Sequence, residues 1–167
     1  ATDEELAALV GDEGPDLARL LHDLRRRLPG LPEPPPADAD TERRRLFAAI
    51  EATMRRIAER GPVVAIIDDL HWADRASLLM SRHMVRAAGL GRILMVGTFR
   101  ENELPPGHPL VEVLADLDGD RPLPRLHLEG LDADATAALT RDWHGAPLRP
   151  PTVRAIHAET NGNPFFI

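Results

Sequence analysis

The sequence predicts an α/β fold in which a parallel sheet is covered by helices. From residue 63 onward, short strand-like runs alternate with helical patterns, which gives strands at 63–67, 93–97 and 125–128. The first two runs contain β-branched residues and no polar side chain, as is typical of strands that are buried on both faces of a parallel sheet. The 167 residues, with 43% hydrophobic content, suffice for one domain with a core and a helical appendage.

The N-terminal region, residues 1–40, is predicted to be a helical segment followed by a proline-rich linker. Thr2 can cap a first turn that begins with three acids, and leucines recur at helical spacing after Pro15. This leucine stripe consists of Leu17, Leu20, Leu21, Leu24 and Leu28. Residues 29–40 contain three consecutive prolines, so we expect an extended linker there.

The predicted core covers residues 41–130. It starts with a helix over about 41–60 and continues with helices over 75–88 and 109–117 between the strands. Asp74 is expected to cap the second of these helices, because its carboxylate can accept from the free N–H groups of the first turn.

Residues 131–167 are predicted to be a small helical segment. Either Asp132 or Asp134 caps its first helix, and a last helix covers about 152–160. The expected core positions of the first helix are Ala137, Leu139 and Trp143.

Composition argues against several functional classes. The chain has no cysteine, so neither disulfides nor thiolate metal sites are available, and its seven histidines lack zinc-binding spacing. The net charge of −7 disfavours broad attraction to nucleic acid. No apolar run is long enough to span a bilayer, and acids occupy the N-terminus where a signal peptide would be positive. We therefore expect a cytoplasmic protein that binds neither nucleic acid nor a membrane.

The strand at 63–67 ends in two carboxylates, Asp68 and Asp69. At the carboxyl edge of a parallel sheet, such a pair can hold a magnesium shell and orient the water that attacks a phosphate. Many strands also end in aspartate simply because it suits turns and helix caps. The chain contains no lysine, the residue with which a phosphate loop holds the β- and γ-phosphates. These residues together predict half of a nucleotide-handling site.

Three further motifs follow one another at domain-like intervals. They are Asp-Leu-His-Trp-Ala-Asp at 69–74, Gly-Thr-Phe-Arg at 97–100 and Gly-Asn-Pro-Phe-Phe at 162–166. In this order they resemble the STAND ATPase domains of large LuxR-type transcriptional regulators. The resemblance implies a partial P-loop NTPase sheet, with the Walker B and sensor strands but without the Walker A loop, followed by the start of a helical lid.

The resemblance also implies site residues, with ATP and Mg²⁺ as cofactors of the intact protein, neither of which the fragment alone is expected to hold. Asp68 would belong to the magnesium shell, Asp69 would position water, and Arg100 would sense the γ-phosphate. The residues that would contact the nucleotide are Thr98, Gly162, Asn163 and Pro164, the last of which would face the base.

Structural readings of the same residues stay open. Without nucleotide, Arg100 is expected to pair with Asp68, Asp69 or Glu101. The Asn-Gly and Asn-Pro pairs at 161–164 would stop a helix in any case, and Trp72 is expected to pack under its loop.

The resemblance implies a fragment of an ATP-binding signal-transduction switch, whose partners are the remainder of a bacterial regulator. Without a phosphate loop, the chain alone is expected to be inert, although its parent would be an ATPase. Domains of this type place the phosphate-loop strand between the strands at 93–97 and 125–128. We therefore expect the last strand to be unpaired and an edge prone to self-association. The alternative is a non-enzymatic docking or oligomerisation module with a degenerate nucleotide-binding fold.

Overall fold

A computed structural model describes residues 2–87, 91–120 and 123–167 of the chain. The residues cluster into two compact units, Ala1–Leu123 and Pro124–Ile167. The first unit carries a two-stranded parallel sheet and most of the helices, and the second is helical. None of the helices in these described ranges is long and apolar enough to cross a membrane.

The chain begins with helix α1, Asp3–Val10, which starts at a capping box. The Thr2 hydroxyl accepts a hydrogen bond from the Glu5 N–H (3.1 Å), and the Glu5 carboxylate accepts one from the Thr2 N–H (2.8 Å). Two orphan donors of the first turn are thereby satisfied, and the predicted cap at Thr2 is confirmed. A 3₁₀ turn, Gly11–Glu13, follows.

Two short helices, α2 (Gly14–Leu17) and α3 (His22–Arg27), replace the single helix that the leucine stripe predicted. The chain leaves the helical conformation between them, with Leu21 at φ −106° and ψ 84°. Leu17 and Leu24 are buried, whereas Leu20 and Leu21 are exposed. Helical spacing alone does not reveal this break, because the leucines on either side of it still reach the same core.

The longest helix, α4 (Ala39–Arg60), begins at Asp38, whose carboxylate accepts from the Thr41 N–H at 2.9 Å. It starts two residues before the predicted position and follows the predicted extended linker. Its Ala49 is completely buried and joins the core of the N-terminal helices. The buried members of this core are Val10, Leu17, Ala18, Leu24 and Ala49.

The sheet consists of β1 (Val63–Ile67) and β2 (Ile93–Gly97), which pair in parallel with Val63 opposite Ile93 and Ile67 opposite Gly97. Both strands have the predicted bounds. Helix α5, Arg75–Arg86, lies between them in the chain, and α6, Pro109–Asp120, follows β2. The predicted end of α5 at Ala88 lies outside the described residues.

The two faces of this sheet differ in burial. Side chains alternate along a strand, so every second residue shares a face. The half-buried face carries Val63, Ala65, Ile67, Ile93 and Met95. The opposite face carries Val64, Ile66, Leu94 and Val96, which are 59%, 67%, 59% and 38% exposed. The prediction that helices cover both faces is therefore wrong, because the described helices cover only one face of the sheet.

A buried cluster forms at the C-terminal end of the half-buried face. Its members are Leu70, Leu78, Leu110, Val113 and Leu117, with Ile67 and Phe99 packed against them. Gly97 provides room for this cluster, because a Cβ at that position would lie 2.5 Å from Leu70 Cδ1. The helices α5 and α6 are thus anchored where the two strands end.

The predicted strand at 125–128 is not formed. These residues have no regular secondary structure, and Leu126 and Leu128 are 93% and 89% exposed. A β-strand exists only through the hydrogen bonds of a neighbouring strand. The described sheet consists of β1 and β2 alone, and residues 125–128 pair with neither.

The second unit contains α7 (Ala133–His144) and α8 (Pro150–Thr160). Asp132 caps α7 by accepting from the Ala135 N–H at 2.7 Å, which decides between the two predicted caps. The buried side chains of this unit are those of Thr136, Thr140 and Val153. The predicted core position of Trp143 is wrong, since its side chain is 82% exposed.

Candidate functional site

The loops that carry the predicted magnesium and sensor residues lie side by side where the two parallel strands end. Asp68 follows Ile67 in β1, and Thr98 follows Gly97 in β2. The ladder continues past the strands, because the Thr98 N–H donates to the Ile67 carbonyl (3.0 Å) and the Leu70 N–H donates to the Thr98 carbonyl (2.8 Å). Parallel pairing therefore brings the two loops side by side, as expected for carboxyl ends of neighbouring strands.

The Thr98 hydroxyl links both carboxylate residues. It donates a short hydrogen bond to Asp68 Oδ1 and accepts one from the Asp69 N–H at 3.0 Å. A hydroxyl has one proton to donate, so this arrangement fixes its direction and holds the Asp68 carboxylate in place. Asp68 is nevertheless exposed and remains open to a ligand. The predicted contact of Thr98 with a nucleotide stays a prediction.

Asp69 has a left-handed backbone conformation, with φ 54° and ψ 47°. Aspartate tolerates this region better than most residues, because its short polar side chain fits turns of this kind. The conformation ends the extended chain abruptly and starts a 3₁₀ turn, Leu70–Trp72. Non-glycine residues held in this region often mark functional sites.

His71 is the buried residue of this turn, with 5% of its surface exposed. Its Nδ1 accepts from the Arg100 N–H at 3.4 Å, and its carbonyl lies 3.1 Å from His108 Nε2. Because Nδ1 accepts, the proton of a neutral His71 ring resides on Nε2. The prediction for Trp72 is wrong, because its side chain is 72% exposed. The smaller His71 occupies the interior, where its Nδ1 and its carbonyl have hydrogen-bond partners.

Arg100 projects from the loop after β2 and pairs with Glu103, with 2.9 Å between Nη1 and Oε1. The other carboxylate oxygen of Glu103 lies 3.0 Å from His71 Nε2, although without the alignment of a hydrogen bond. The expected pairing of Arg100 with Asp68, Asp69 or Glu101 is thus replaced by a partner three residues along the chain. Sequence reasoning missed Glu103, although the spacing of three residues in a turn was the available signal.

Asp74 caps helix α5 as predicted, since its carboxylate accepts from the Ser77 N–H at 2.7 Å. This hydrogen bond, reinforced by the Ser77 hydroxyl, lowers the pKa of the Asp74 carboxyl below its ordinary value. The cap fixes the start of the helix that follows the carboxylate loop.

The predicted base-contacting residues lie in the second unit, directly after α8. Asn161 and Gly162 both have positive φ, and the Gly162 carbonyl accepts from the Leu131 N–H at 2.8 Å. Asn163 Oδ1 accepts from the Phe165 N–H at 3.0 Å, and Pro164 is exposed. The expected helix stop is confirmed, and the contact of Gly162, Asn163 and Pro164 with a nucleotide stays a prediction.

The donor set at the strand ends fits magnesium. Asp68 and Asp69 offer carboxylate oxygens and Thr98 a hydroxyl, all of them hard ligands. Across the described ranges, no group of three metal-binding side chains converges. Magnesium does not need one, because it is usually held by one or two carboxylates together with substrate phosphates and water.

Comparison with known proteins shows the family of the chain. The AAA ATPase domain family matches residues 1–96. An uncharacterized protein of Rhizobium meliloti (strain 1021) is 31% identical over 138 residues, which are 81% of this chain but 12% of that protein. No solved structure matches. An AAA ATPase domain generally uses ATP and Mg²⁺. The chain, more than half of which the family covers, belongs to the AAA ATPase domain family.

Proposed function

We propose that this chain is part of an ATP-binding switch of the STAND type, in a bacterial transcriptional regulator. The observation that carries the proposal is the Thr98 hydroxyl, which holds Asp68 and the backbone of Asp69 together at the carboxyl ends of parallel strands. The three ordered motifs support the STAND assignment and, through it, the link to LuxR-type regulators. Output through other domains rests on that resemblance.

Each residue has a role in this proposal. Asp68, held by Thr98, contributes a carboxylate oxygen to the magnesium shell, and magnesium supplies charge neutralisation for the phosphates. Asp69, re-aimed by its left-handed backbone, orients the attacking water. Arg100 binds the γ-phosphate with its planar guanidinium.

The same proposal makes the chain inert by itself. A lysine that holds the β- and γ-phosphates is a principal source of affinity in phosphate-loop enzymes, and this chain has none. We therefore expect weak, magnesium-dependent ATP binding, with a Kd on the order of 1 mM, and no turnover.

The test follows the backbone amide signals of the chain by NMR while ATP is added, with and without Mg²⁺. We expect shifts at Asp68, Thr98 and Arg100 that saturate in the millimolar range and vanish in Asp68→Asn. A matched control is Asp134→Asn, which removes a carboxylate from the exposed first turn of α7. No shift at these three residues would refute the site. Phosphate release that is lost in Asp69→Asn would refute the inertness.

A second candidate function is favoured by the uncovered sheet face. Four apolar side chains on one face of a parallel sheet are typical of an interior that another element covers. In this alternative the chain is a non-enzymatic docking or oligomerisation module with a degenerate nucleotide-binding fold. It then pairs with the remainder of a larger protein or with a second copy, and ATP produces no shift at the carboxylate loop.

A further inference from the structure

The carboxylate of Glu103 lies between two side chains that differ in exposure, Arg100 and His71. Oε1 lies 2.9 Å from Arg100 Nη1, and Oε2 lies 3.0 Å from His71 Nε2. The Glu103 side chain is 32% exposed. It lies at the end of a 3₁₀ turn, Glu101–Glu103, which directly follows Arg100. One carboxylate thus connects the loop after β1 with the loop after β2.

His71 is the fixed partner of Glu103. Its side chain is 1% exposed. The ring accepts from the Arg100 N–H, and the carbonyl of the same residue accepts from His108 Nε2. His108 is held in turn, because its Nδ1 accepts from the Leu110 N–H at 3.1 Å. A ring that is buried and hydrogen-bonded in this way keeps its Nε2 in one place, 3.0 Å from Glu103 Oε2.

Arg100 is the movable partner. Its side chain is 61% exposed, and the guanidinium pairs with Glu103. An ion pair with this much exposure is weak, because water screens the charges and the long side chain loses freedom. A phosphate offers the guanidinium a stronger, forked set of acceptors. Glu103 can therefore hold Arg100 only until such an anion is present.

We propose that Glu103, positioned by His71, retains the Arg100 guanidinium on its own loop and competes with a ligand phosphate for it. Glu103 is a positioning residue, since it acts on the ligand only through Arg100. The proposal rests on the function proposed above, because it assumes that Arg100 meets a phosphate.

The first measurement needs no ligand. Rotation of the Arg100 guanidinium about its Nε–Cζ bond is measured by NMR in the wild-type chain, in Glu103→Gln and in Glu101→Gln. Glu101 is exposed and lies two residues before Glu103 in the same turn, so its substitution removes an equal charge. We expect faster rotation in Glu103→Gln alone. Equal rotation in all three proteins would overturn the retention of Arg100.

The second measurement titrates inorganic triphosphate with Mg²⁺ into the same three proteins and follows the Arg100 signals. We expect Glu103→Gln to bind roughly two- to fivefold more tightly than wild type, the range of a weak surface pair. Glu101→Gln should bind within experimental error of wild type, and urea unfolding should confirm that all three remain equally folded.

The outcomes separate the two proposals. Equal and measurable affinities in all three proteins would overturn the competition and leave the nucleotide site intact. A gain of the same size in both variants would also overturn it, because a general charge effect would then explain the result. No binding by any of the three would overturn the nucleotide site together with the competition, whatever the rotation of Arg100 shows.

Discussion

The two faces of the sheet have similar residues and opposite surroundings. One face ends in a cluster in which Leu78 and Leu110 are each 1% exposed. The other presents Ile66 and Leu94, which are 67% and 59% exposed. Both faces belong to the same two strands, and both are built from aliphatic side chains. The difference lies in the helices α5 and α6, which pack at the end of one face.

In this chain, therefore, strands pair even where their side chains are not buried. The parallel ladder needs only two neighbouring strands, and its hydrogen bonds form whether or not a helix covers the side chains. Burial provides most of the favourable free energy, so the covered face should govern the stability of the first unit. The uncovered face should govern what the chain associates with.

The sharpest test substitutes one residue on each side of the sheet. Leu78→Ala should lower the free energy of unfolding by about 2–5 kcal/mol, because it leaves a cavity in the buried cluster. Ile66→Ala should change it by less than about 1 kcal/mol, since water already contacts most of that side chain. Urea denaturation followed by circular dichroism measures both. Equal losses would show that the second face is covered in solution.

A second test overfills the covered face. Gly97→Ala places a methyl group against Leu70, where a Cβ would come within 2.5 Å of Cδ1. We expect a loss of about 1–3 kcal/mol in the free energy of unfolding. Gly61→Ala is the control, since its surroundings are open and its φ of 175° suits any residue. Thermal unfolding measures both variants. Equal stability of the two would show that Leu70 leaves room for a methyl group.

The uncovered face should promote self-association. Ile66→Thr combined with Leu94→Thr keeps β-branched or strand-compatible side chains but removes much apolar surface. We expect the dissociation constant, measured by sedimentation equilibrium, to rise about tenfold. Leu20→Thr with Leu21→Thr serves as the control, because these leucines are exposed elsewhere in the same unit. A wild-type chain that is monomeric at millimolar concentration would contradict this expectation.

The smallest expected effect concerns acid and the cap of α5. Hydrogen bonds from Ser77 lower the pKa of Asp74 in the folded chain below 3.8. A carboxyl group whose pKa is lowered by folding stabilises the protein at any pH above the pKa of the unfolded chain. This contribution is lost as the pH falls through the pKa of the folded chain. Urea unfolding between pH 5 and pH 3 should therefore be less pH-dependent in Asp74→Asn. The dependence should not vanish, because Asp38 also has a lowered pKa.

Local signals predicted the elements that depend on their own residues. The caps at Thr2 and Asp74 and the bounds of β1 and β2 follow from short-range hydrogen bonding and β-branched runs. The run at 125–128 carries a weaker signal, two alternating leucines, and a strand also needs a partner that its own sequence does not specify. Helical spacing likewise did not predict the break between Leu17 and His22, which depends on packing against α4.

Site residues divide in the same way. Asp68 and Thr98 are neighbours because each directly follows a strand and the two strands pair in parallel. His71 is buried instead of Trp72 where it has partners from two later segments, the Arg100 N–H and the His108 ring, and residue size gives no hint of this. Glu103 lies beside both Arg100 and His71, so its place in the site joins two loops, and only its three-residue spacing from Arg100 was visible in the sequence.

The left-handed backbone of Asp69 determines which substitutions at this position can be interpreted. Alanine disfavours φ near 54°, so Asp69→Ala would combine loss of the carboxylate with a backbone penalty of about 1 kcal/mol or more. Asparagine tolerates this conformation and has nearly the same shape. A change seen in Asp69→Asn can therefore be attributed to charge, and the difference between the two variants measures what the loop geometry itself contributes.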